Sequence, residues 1–192
     1  MSPKEYLAII HCIAGLKERT RHAWMTSGRQ ESVAEHSWRM ALMAYFLRDQ
    51  FPSVDLTRVL LMALLHDMGE VFTGDIPTFE KTDADRAHEH RLRDEWIDSL
   101  PAPYAAEVRA LFAEMDAMET EEAHIARALD RMEAVITHNE GDPHTWLPLE
   151  YDLQRTYGIK EAAFSPTLKD LRAEINNEVD KVIASLKKEE TI

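Results

Sequence analysis

Four polar side chains of this 192-residue chain stand at positions where the hydrophobic pattern predicts apolar ones. His36 falls on the apolar face of a predicted helix, so we expect its imidazole to point inward. His66 and Asp67 follow directly on the apolar run 59–65, and Asp130 borders the apolar stripe of a later helix. A carboxylate buried without a partner would take up a proton rather than stay charged. A divalent cation bound by all four side chains would remove that cost.

The chemistry of this set is that of mixed nitrogen and oxygen ligands. Two imidazoles and two carboxylates favour Mn, Fe, Co, Ni, Zn or Mg over soft metals, and the pattern does not choose among them. Each residue also has a structural explanation, because an inward histidine is often a hydrogen-bonded core residue and a single helical aspartate is usually solvated. The combination of all four indicates one divalent metal ion per chain.

Three segments resemble the motifs of the HD-domain metal-dependent phosphohydrolases, and more narrowly those of the bacterial 5′-deoxyribonucleotidase branch. They read SVAEHS at 32–37, LLHDMGE at 64–70 followed by GDI at 74–76, and ALD at 128–130. The resemblance extends from about residue 16 to residue 140. It implies an all-α HD-domain fold and a homodimer. The metal ligands that it implies are His36, His66, Asp67 and Asp130.

The same resemblance assigns catalytic roles to two further carboxyl groups. Glu70 lies three residues after the His-Asp pair, and Asp75 belongs to a Gly-Asp-Ile-Pro loop. Glu70 would orient or deprotonate the attacking water, and Asp75 would protonate the departing 5′ oxygen.

Substrate binding is expected from Arg21, Arg29 and Trp24. The two arginines match family positions and would hold phosphate oxygens through paired hydrogen bonds. In the deoxyribonucleotidases an aromatic residue directly after the first arginine helps to reject a ribose hydroxyl. Here that position holds His22, and Trp24 follows two residues later, so the preference for deoxyribose or ribose stays open.

Three other histidines are candidates for a second metal ion. His88 and His90 lie in a densely charged stretch, which favours a solvated helix face over a ligand role. His124 lies near the start of the predicted helix that carries Asp130.

The composition sets limits on location and partners. The 22 basic and 35 acidic residues give a net charge of −13, which disfavours nucleic-acid polymers and anionic membranes as partners. The single Cys12 excludes a disulfide framework and suits a reducing compartment. The first residues do not resemble a signal peptide, and the longest apolar run is too short to span a bilayer. We therefore expect a cytoplasmic location.

Helix start signals and apolar spacing predict one all-α domain over 1–192. We expect a loop at 17–30 and no strands. Capping boxes at Ser2 and Ser32 begin the first two helices, and helix 56–67 is apolar all round and is expected at the buried centre. Helices are also predicted at about 83–99, 104–115, 121–140, 148–156 and 166–186. The C-terminal segment 148–186 either completes the bundle or forms a dimer interface.

Three functions remain open on this sequence. The favoured one is a metal-dependent phosphomonoesterase acting on nucleoside 5′-monophosphates. The second is hydrolysis of another phosphate ester, such as a guanosine tetraphosphate-type signal. The third is a metal-binding or nucleotide-sensing protein without turnover, which the presence of Glu70 and Asp75 beside the ligands disfavours.

Overall fold

The computed structural model describes residues 1–189 as a helical bundle with one short hairpin. The helices are α1 Pro3–Ile13, α2 Val33–Leu47, α3 Leu56–Leu65, α4 Glu70–Thr73, α5 Asp83–Asp98, α6 Tyr104–Ala117, α7 Glu121–Glu140, α8 Glu150–Thr156, α9 Ile159–Ala162 and α10 Pro166–Glu189. The strands are β1 Thr20–Trp24 and β2 Gln30–Ser32. Short 3₁₀ turns lie at Ala14–Lys17, Arg48–Gln50 and Pro143–Thr145. The predicted all-α class is confirmed.

Helix α7, rather than α3, occupies the centre of the bundle. It packs against α2, α3, α6, α9, α10 and β1, and it buries side chains from Ala123 to Thr137. Helix α3 buries one face only and leaves Leu61 and Leu64 46% and 44% exposed. The expectation for 56–67 was therefore wrong, because an apolar sequence does not reveal which of its faces the rest of the chain covers.

The capping boxes predicted at Ser2 and Ser32 are both present in the structure. Ser2 and Glu5 exchange side-chain and backbone hydrogen bonds at the start of α1, and Ser32 and Glu35 do the same at α2. Each capping box satisfies backbone N–H groups that a helix start would otherwise leave unpaired. In α2 the cap determines where the helix begins, and thereby the face on which His36 lies.

The expectation of a loop at 17–30 and no strands was wrong, because this segment contains β1 and the first residue of β2, which form a hairpin. The strands pair antiparallel, with Thr20 opposite Ser32 and Trp24 opposite Gln30, and the register shifts between these pairs. The buried side chains of the hairpin are Ala23, Glu31 and Ser32, which are small or polar. The hydrophobic alternation that signals a strand is therefore missing from the sequence.

Helix α10 belongs to the core. It buries Leu168, Ile175, Val179 and Ile183 in the hydrophobic core of the bundle. Arg172 is also buried there and donates hydrogen bonds to the carbonyl oxygens of Tyr157 and Gln154 at 2.7 and 2.6 Å. These bonds join α10 to the end of α8.

A close approach between α4 and α5 depends on Gly69. A Cβ atom at this position would lie 2.5 Å from Cγ and 3.2 Å from the carbonyl oxygen of Glu89. Because glycine has no Cβ, α5 can bring Glu89 next to the start of α4.

None of the helices within residues 1–189 combines the length and apolar character needed to cross a bilayer.

Candidate metal centre and active site

Three helices bring the four predicted ligands together. His36 comes from α2, His66 and Asp67 follow the end of α3, and Asp130 comes from α7. Nε2 of His66 lies 3.0 Å from Oδ2 of Asp67 and 3.7 Å from Oδ1 of Asp130. Nε2 of His36 lies 3.3 Å from Oδ1 of Asp130 and 3.9 Å from Oδ2 of Asp67. Ligand atoms of His36, His66 and Asp67 lie within 4.8 Å of one another, and Asp130 adjoins both histidines.

The orientation of the two histidines fits a bound cation. Nδ1 of His66 donates a hydrogen bond to the carbonyl oxygen of Ala63 at 2.9 Å, and Nδ1 of His36 pairs with the carboxylate of Glu133. In each ring the other nitrogen, Nε2, is buried without a hydrogen-bond partner among the described residues. A histidine whose Nδ1–H is held in this way presents the Nε2 lone pair, which is the usual arrangement of a metal-ligating imidazole.

The charges of the four groups compensate one another. Burial alone would lower the pKa of His66, but Asp67 and Asp130 raise it well above its usual value. Burial opposes ionisation of Asp67, yet the charge of His66 lowers its pKa to about 2. The pKa of Asp130 is likewise well below its usual value because Arg131 and the two histidines outweigh its burial. Because a ligating imidazole must be neutral, a cation at this position would compete with protonation of His66.

A second buried layer supports His36. Glu133 is fully buried and contacts His36, while its Oε1 atom accepts from Nε of Arg39 at 2.7 Å. Arg21 reaches Oε2 of Glu133 at 3.3 Å and Oε2 of Glu31 at 3.2 Å. Glu31, His36 and Glu133 also lie close enough to hold an ion. The two arginines already neutralise these carboxylates, so this group serves better as an orienting layer for His36.

The ligands line the wall of a cavity of about 360 Å³. His66, Asp67 and Asp130 contribute to its surface, and the predicted residues Arg21, Glu70 and Asp75 do so as well. Five further basic side chains line the same cavity: Lys81, Arg86, Arg93, Arg127 and Arg131. With Arg21 the cavity has six basic side chains against seven carboxylates, so its wall is less acidic than the chain as a whole, which has 22 basic and 35 acidic residues.

Glu70 is buried beside Lys81. The sequence did not indicate Lys81 as a candidate site residue. Nζ of Lys81 lies 3.5 Å from Oε1 of Glu70 and 2.5 Å from Oε2 of Glu89. Burial and the charges of Asp67 and Asp75 raise the pKa of Glu70 well above its usual value, and Lys81 opposes that rise. Lys81 lies in a polar segment without periodicity, so its sequence carries no signal that could have singled it out.

The pKa of Asp75 is raised mainly by burial and partly by the charge of Asp67. Arg21 and Lys81 act in the opposite direction. A carboxyl group whose proton is retained more readily suits the predicted role as a proton donor.

The structure does not bring Arg29 or Trp24 into this cavity. Arg29 is exposed and makes a two-point ion pair with Glu35 at the start of α2. The Trp24 ring contacts the edge of His22 with ring centroids 4.9 Å apart, and only His22 lines the cavity.

His22 belongs to a second group at the cavity wall. Nε2 of His22 lies 3.3 Å from Oε2 of Glu150, and Nε2 of His138 lies 3.3 Å from Oε1 of the same carboxylate. Glu150 is buried and accepts a hydrogen bond from the backbone N–H of Leu147 at 2.6 Å. This group bounds the cavity on the side of β1 and α8, and the sequence pattern did not indicate it.

The three other candidate histidines lie apart from the ligands. His88 is exposed and accepts a hydrogen bond from Arg91, and His90 is exposed at the cavity edge. The ring of His124 contacts the ring of Phe164 in a tilted arrangement, with centroids 5.2 Å apart. None of the three belongs to a group of potential ligands within residues 1–189.

Known proteins share this fold and sequence. A family model described as "HD domain" matches residues 13–172. The 5′-deoxynucleotidase HDDC2 of Mus musculus is 30% identical over 138 residues, which cover 70% of this chain and 68% of that protein. The 5′-deoxynucleotidase hdd1 of Schizosaccharomyces pombe is 29% identical over 136 residues, which cover 66% and 67%.

Solved structures agree with these matches. A predicted metal-dependent phosphohydrolase of Magnetospirillum magnetotacticum superimposes with a TM-score of 0.76 and 28% identity, covering 93% of each chain. The HD phosphohydrolase DatZ of cyanophage S-2L, solved with dA and one catalytic Zn²⁺ ion, shares the fold at a TM-score of 0.54 and 20% identity, covering 93% of this chain and 96% of that one. With the family model matching most of its length, the chain belongs to the HD-domain family.

Proposed function

We propose that this protein is a metal-dependent phosphohydrolase that removes the 5′ phosphate from nucleoside 5′-monophosphates. The observation that carries the proposal is the cluster of two carboxylates and two histidine Nε2 atoms without hydrogen-bond partners, at the wall of a cavity that also carries arginine and lysine side chains. The names of the relatives, which are 5′-deoxynucleotidases and HD phosphohydrolases, support the same substrate class.

His36, His66, Asp67 and Asp130 are the residues that would hold the metal ion. Their mixed nitrogen and oxygen atoms suit a divalent cation of the Mn, Fe, Co, Ni, Zn or Mg group. When bound there, such a cation supplies Lewis-acid charge that polarises a phosphate ester and lowers the pKa of water.

Side chains of the cavity bind the phosphate group and transfer protons. Arg21 binds phosphate oxygens and offsets the repulsion between a phosphate dianion and an incoming nucleophile. Glu70 orients the attacking water or accepts its proton, and Asp75 donates a proton to the departing 5′ oxygen. Glu31 and Glu133 hold Arg21 at the cavity wall, so that its guanidinium is placed before the substrate arrives.

The test is a substrate panel assayed for phosphate release. It contains dAMP, dGMP, dCMP, dTMP and dUMP, their ribose forms, the 3′-monophosphates, the triphosphates and guanosine tetraphosphate, each with several divalent metals. We expect the 5′-monophosphates to be preferred and EDTA to abolish the activity. Equal rates on dAMP and AMP would remove a preference for deoxyribose but keep the phosphohydrolase. Turnover of guanosine tetraphosphate alone would identify the second function that the sequence left open.

A cytoplasmic location and one metal ion per chain remain predictions under this proposal. Metal content is measured directly by elemental analysis of the purified protein. Two ions per chain would reopen His88, His90 and His124 as ligands of a second site.

A further inference from the structure

Lys81 lies between two nearly buried carboxylates at the cavity wall. Its Nζ atom is 3.5 Å from Oε1 of Glu70 and 2.5 Å from Oε2 of Glu89, and the side chains of Lys81, Glu70 and Glu89 are 11%, 5% and 13% exposed. Lysine is almost never buried to this degree unless a charged partner offsets the desolvation of its ammonium group. Within residues 1–189, Lys81 is the only basic side chain that forms an ion pair with Glu70.

Hydrogen bonds hold the backbone on both sides of Lys81. Its N–H group donates to the carbonyl oxygen of Pro77 at 3.0 Å, which closes a turn before it. The next residue, Thr82, is the N-cap of α5 and exchanges hydrogen bonds with Asp85 in a capping box. Because the backbone is ordered by these bonds, the side chain reaches Glu70 at a smaller cost in conformational entropy than it would from a free loop.

Glu89 holds the other side of the Lys81 ammonium group. Its side chain lies against Gly69, where a Cβ atom would be 2.5 Å from Cγ of Glu89. An ammonium group has three N–H donors, and the two carboxylates engage two of them. A guanidinium such as that of Arg21 has five donors and keeps more of them free for phosphate. The surroundings of Lys81 therefore suit a lysine that fixes a neighbouring side chain better than one that binds the substrate.

The two oxygens of the Glu70 carboxylate have different surroundings. Oε1 faces the ammonium group of Lys81, whereas Oε2 is buried without a hydrogen-bond partner among the described residues. Asp75 is a further close neighbour of Glu70, but two ionised carboxylates cannot hydrogen-bond to each other, so Asp75 does not hold Glu70 in place. Glu70 lines the cavity, so Oε2 is the oxygen left to accept a hydrogen bond from a molecule bound there. The ion pair with Lys81 thus determines which oxygen is available.

We propose that Lys81 is a positioning residue for the hydrolysis of the phosphate ester. Its ammonium group holds Oε1 of Glu70 and thereby directs Oε2 toward the attacking water. In this role Lys81 acts through Glu70 and makes no contact with the substrate. The role rests on the phosphohydrolase activity proposed above and adds to it a residue that the sequence motifs do not indicate.

A double-mutant cycle between Lys81 and Glu70 tests the proposal. Lys81→Met removes the charge and keeps an unbranched side chain. On the preferred 5′-monophosphate of the panel, its kcat should fall about 10–100-fold while KM changes less than about threefold, because the lost contact acts on the attacking water and not on substrate binding. The double variant Glu70→Gln/Lys81→Met should be no more than about threefold slower than Glu70→Gln, because Lys81 acts through Glu70.

Binding of inorganic phosphate gives a second readout that does not depend on turnover. Isothermal titration of phosphate into the Mn²⁺-loaded protein should give the same Kd for the wild type and Lys81→Met, whereas Arg21→Gln should bind more weakly. Lys169→Met, the same substitution at an exposed lysine of α10, is the matched control and should have the kcat, KM and phosphate Kd of the wild type.

Metal analysis and circular dichroism of each variant check loading and folding. If Lys81→Met does not fold, Lys81→Gln, which keeps a hydrogen-bond donor without the charge, takes its place in the same cycle. A wild type that turns over no phosphate ester would overturn both the proposed function and the role of Lys81. With an active wild type, three results would overturn only the positioning role: an unchanged kcat in Lys81→Met, weaker phosphate binding by that variant, or effects that multiply in the double variant.

Discussion

The Nδ1 atom of His36 is paired with the carboxylate of Glu133, and both side chains are buried completely. The pairing sets the Nε2 atom of His36 toward Asp67 and Asp130. Carboxylates in this position orient a ligating imidazole and increase its basicity. Desolvation opposes the ionisation of Glu133, but the charge and hydrogen bond of His36, followed by the charges of Arg21 and Arg39, lower its pKa.

The substitution Glu133→Gln should weaken metal binding about 10–100-fold, because an amide supports the imidazole less strongly than a carboxylate. Isothermal titration of Mn²⁺ into the metal-free protein measures the change. Glu140→Gln is the control, since Glu140 also pairs with Arg39 but is half exposed and does not contact His36. Equal affinities for the wild type and Glu133→Gln would contradict a supporting role.

His36→Ala and Asp130→Ala should each lose both the metal ion and the activity, because each removes one ligand from a set of four. Elemental analysis of the purified variants gives the occupancy, and His88→Ala, which alters an exposed histidine of α5, should keep the metal. Full occupancy in His36→Ala or Asp130→Ala would show that the proposed ligand set is wrong.

Glu70→Gln should keep the metal and bind nucleotide nearly as well as the wild type, but turn over at least about 100-fold more slowly. The amide keeps the shape and a hydrogen bond while it removes the base. Steady-state kinetics with parallel metal analysis separate this outcome from a structural role, in which turnover would hardly change. Glu80→Gln alters an exposed glutamate nearby and should have the activity of the wild type.

The two predicted phosphate-binding arginines should differ in their effects. Arg21→Gln removes a guanidinium from the cavity wall, and we expect kcat/KM to fall about 10–100-fold, as for the loss of a hydrogen bond to a charged group. Arg29→Gln should change kcat/KM less than about twofold, because Arg29 pairs with Glu35 outside the cavity and such exposed pairs contribute little. A large fall in kcat/KM for Arg29→Gln, with none for Arg21→Gln, would support the predicted role of Arg29 in binding phosphate.

Acid should weaken the start of α2 through Glu35. Hydrogen bonds from Arg29 and Ser32 lower the pKa of Glu35 from 4.5 to about 2. A carboxylate with a lowered pKa contributes stability above its unfolded value, and this contribution is lost as the pH falls from 4.5 toward 2. The difference in unfolding free energy between the wild type and Glu35→Gln should therefore shrink over this range. Urea unfolding at pH 6, 4 and 3 measures it, and a difference independent of pH would contradict the assignment.

The sequence by itself determined the helical class, the helix starts and the identity of the clustered polar residues. Local signals suffice for these features: the capping residues Ser2 and Ser32 act within one turn, and the inward position of His36 follows from helical spacing. His66, Asp67 and Asp130 stood out because a polar side chain beside an apolar run carries a desolvation cost that the sequence already displays.

Tertiary structure alone decided which elements meet. Lys81, in the loop before α5, contacts Glu70, and Gly69 lets Glu89 of α5 lie against the start of α4; no local pattern encodes either contact. The central position of α7, the pairing of the short polar strands, and the separation of Arg29 from Arg21 likewise depend on contacts between segments distant in the chain. A periodic pattern records how apolar a face is, but the partner that covers that face is chosen only when the whole chain packs.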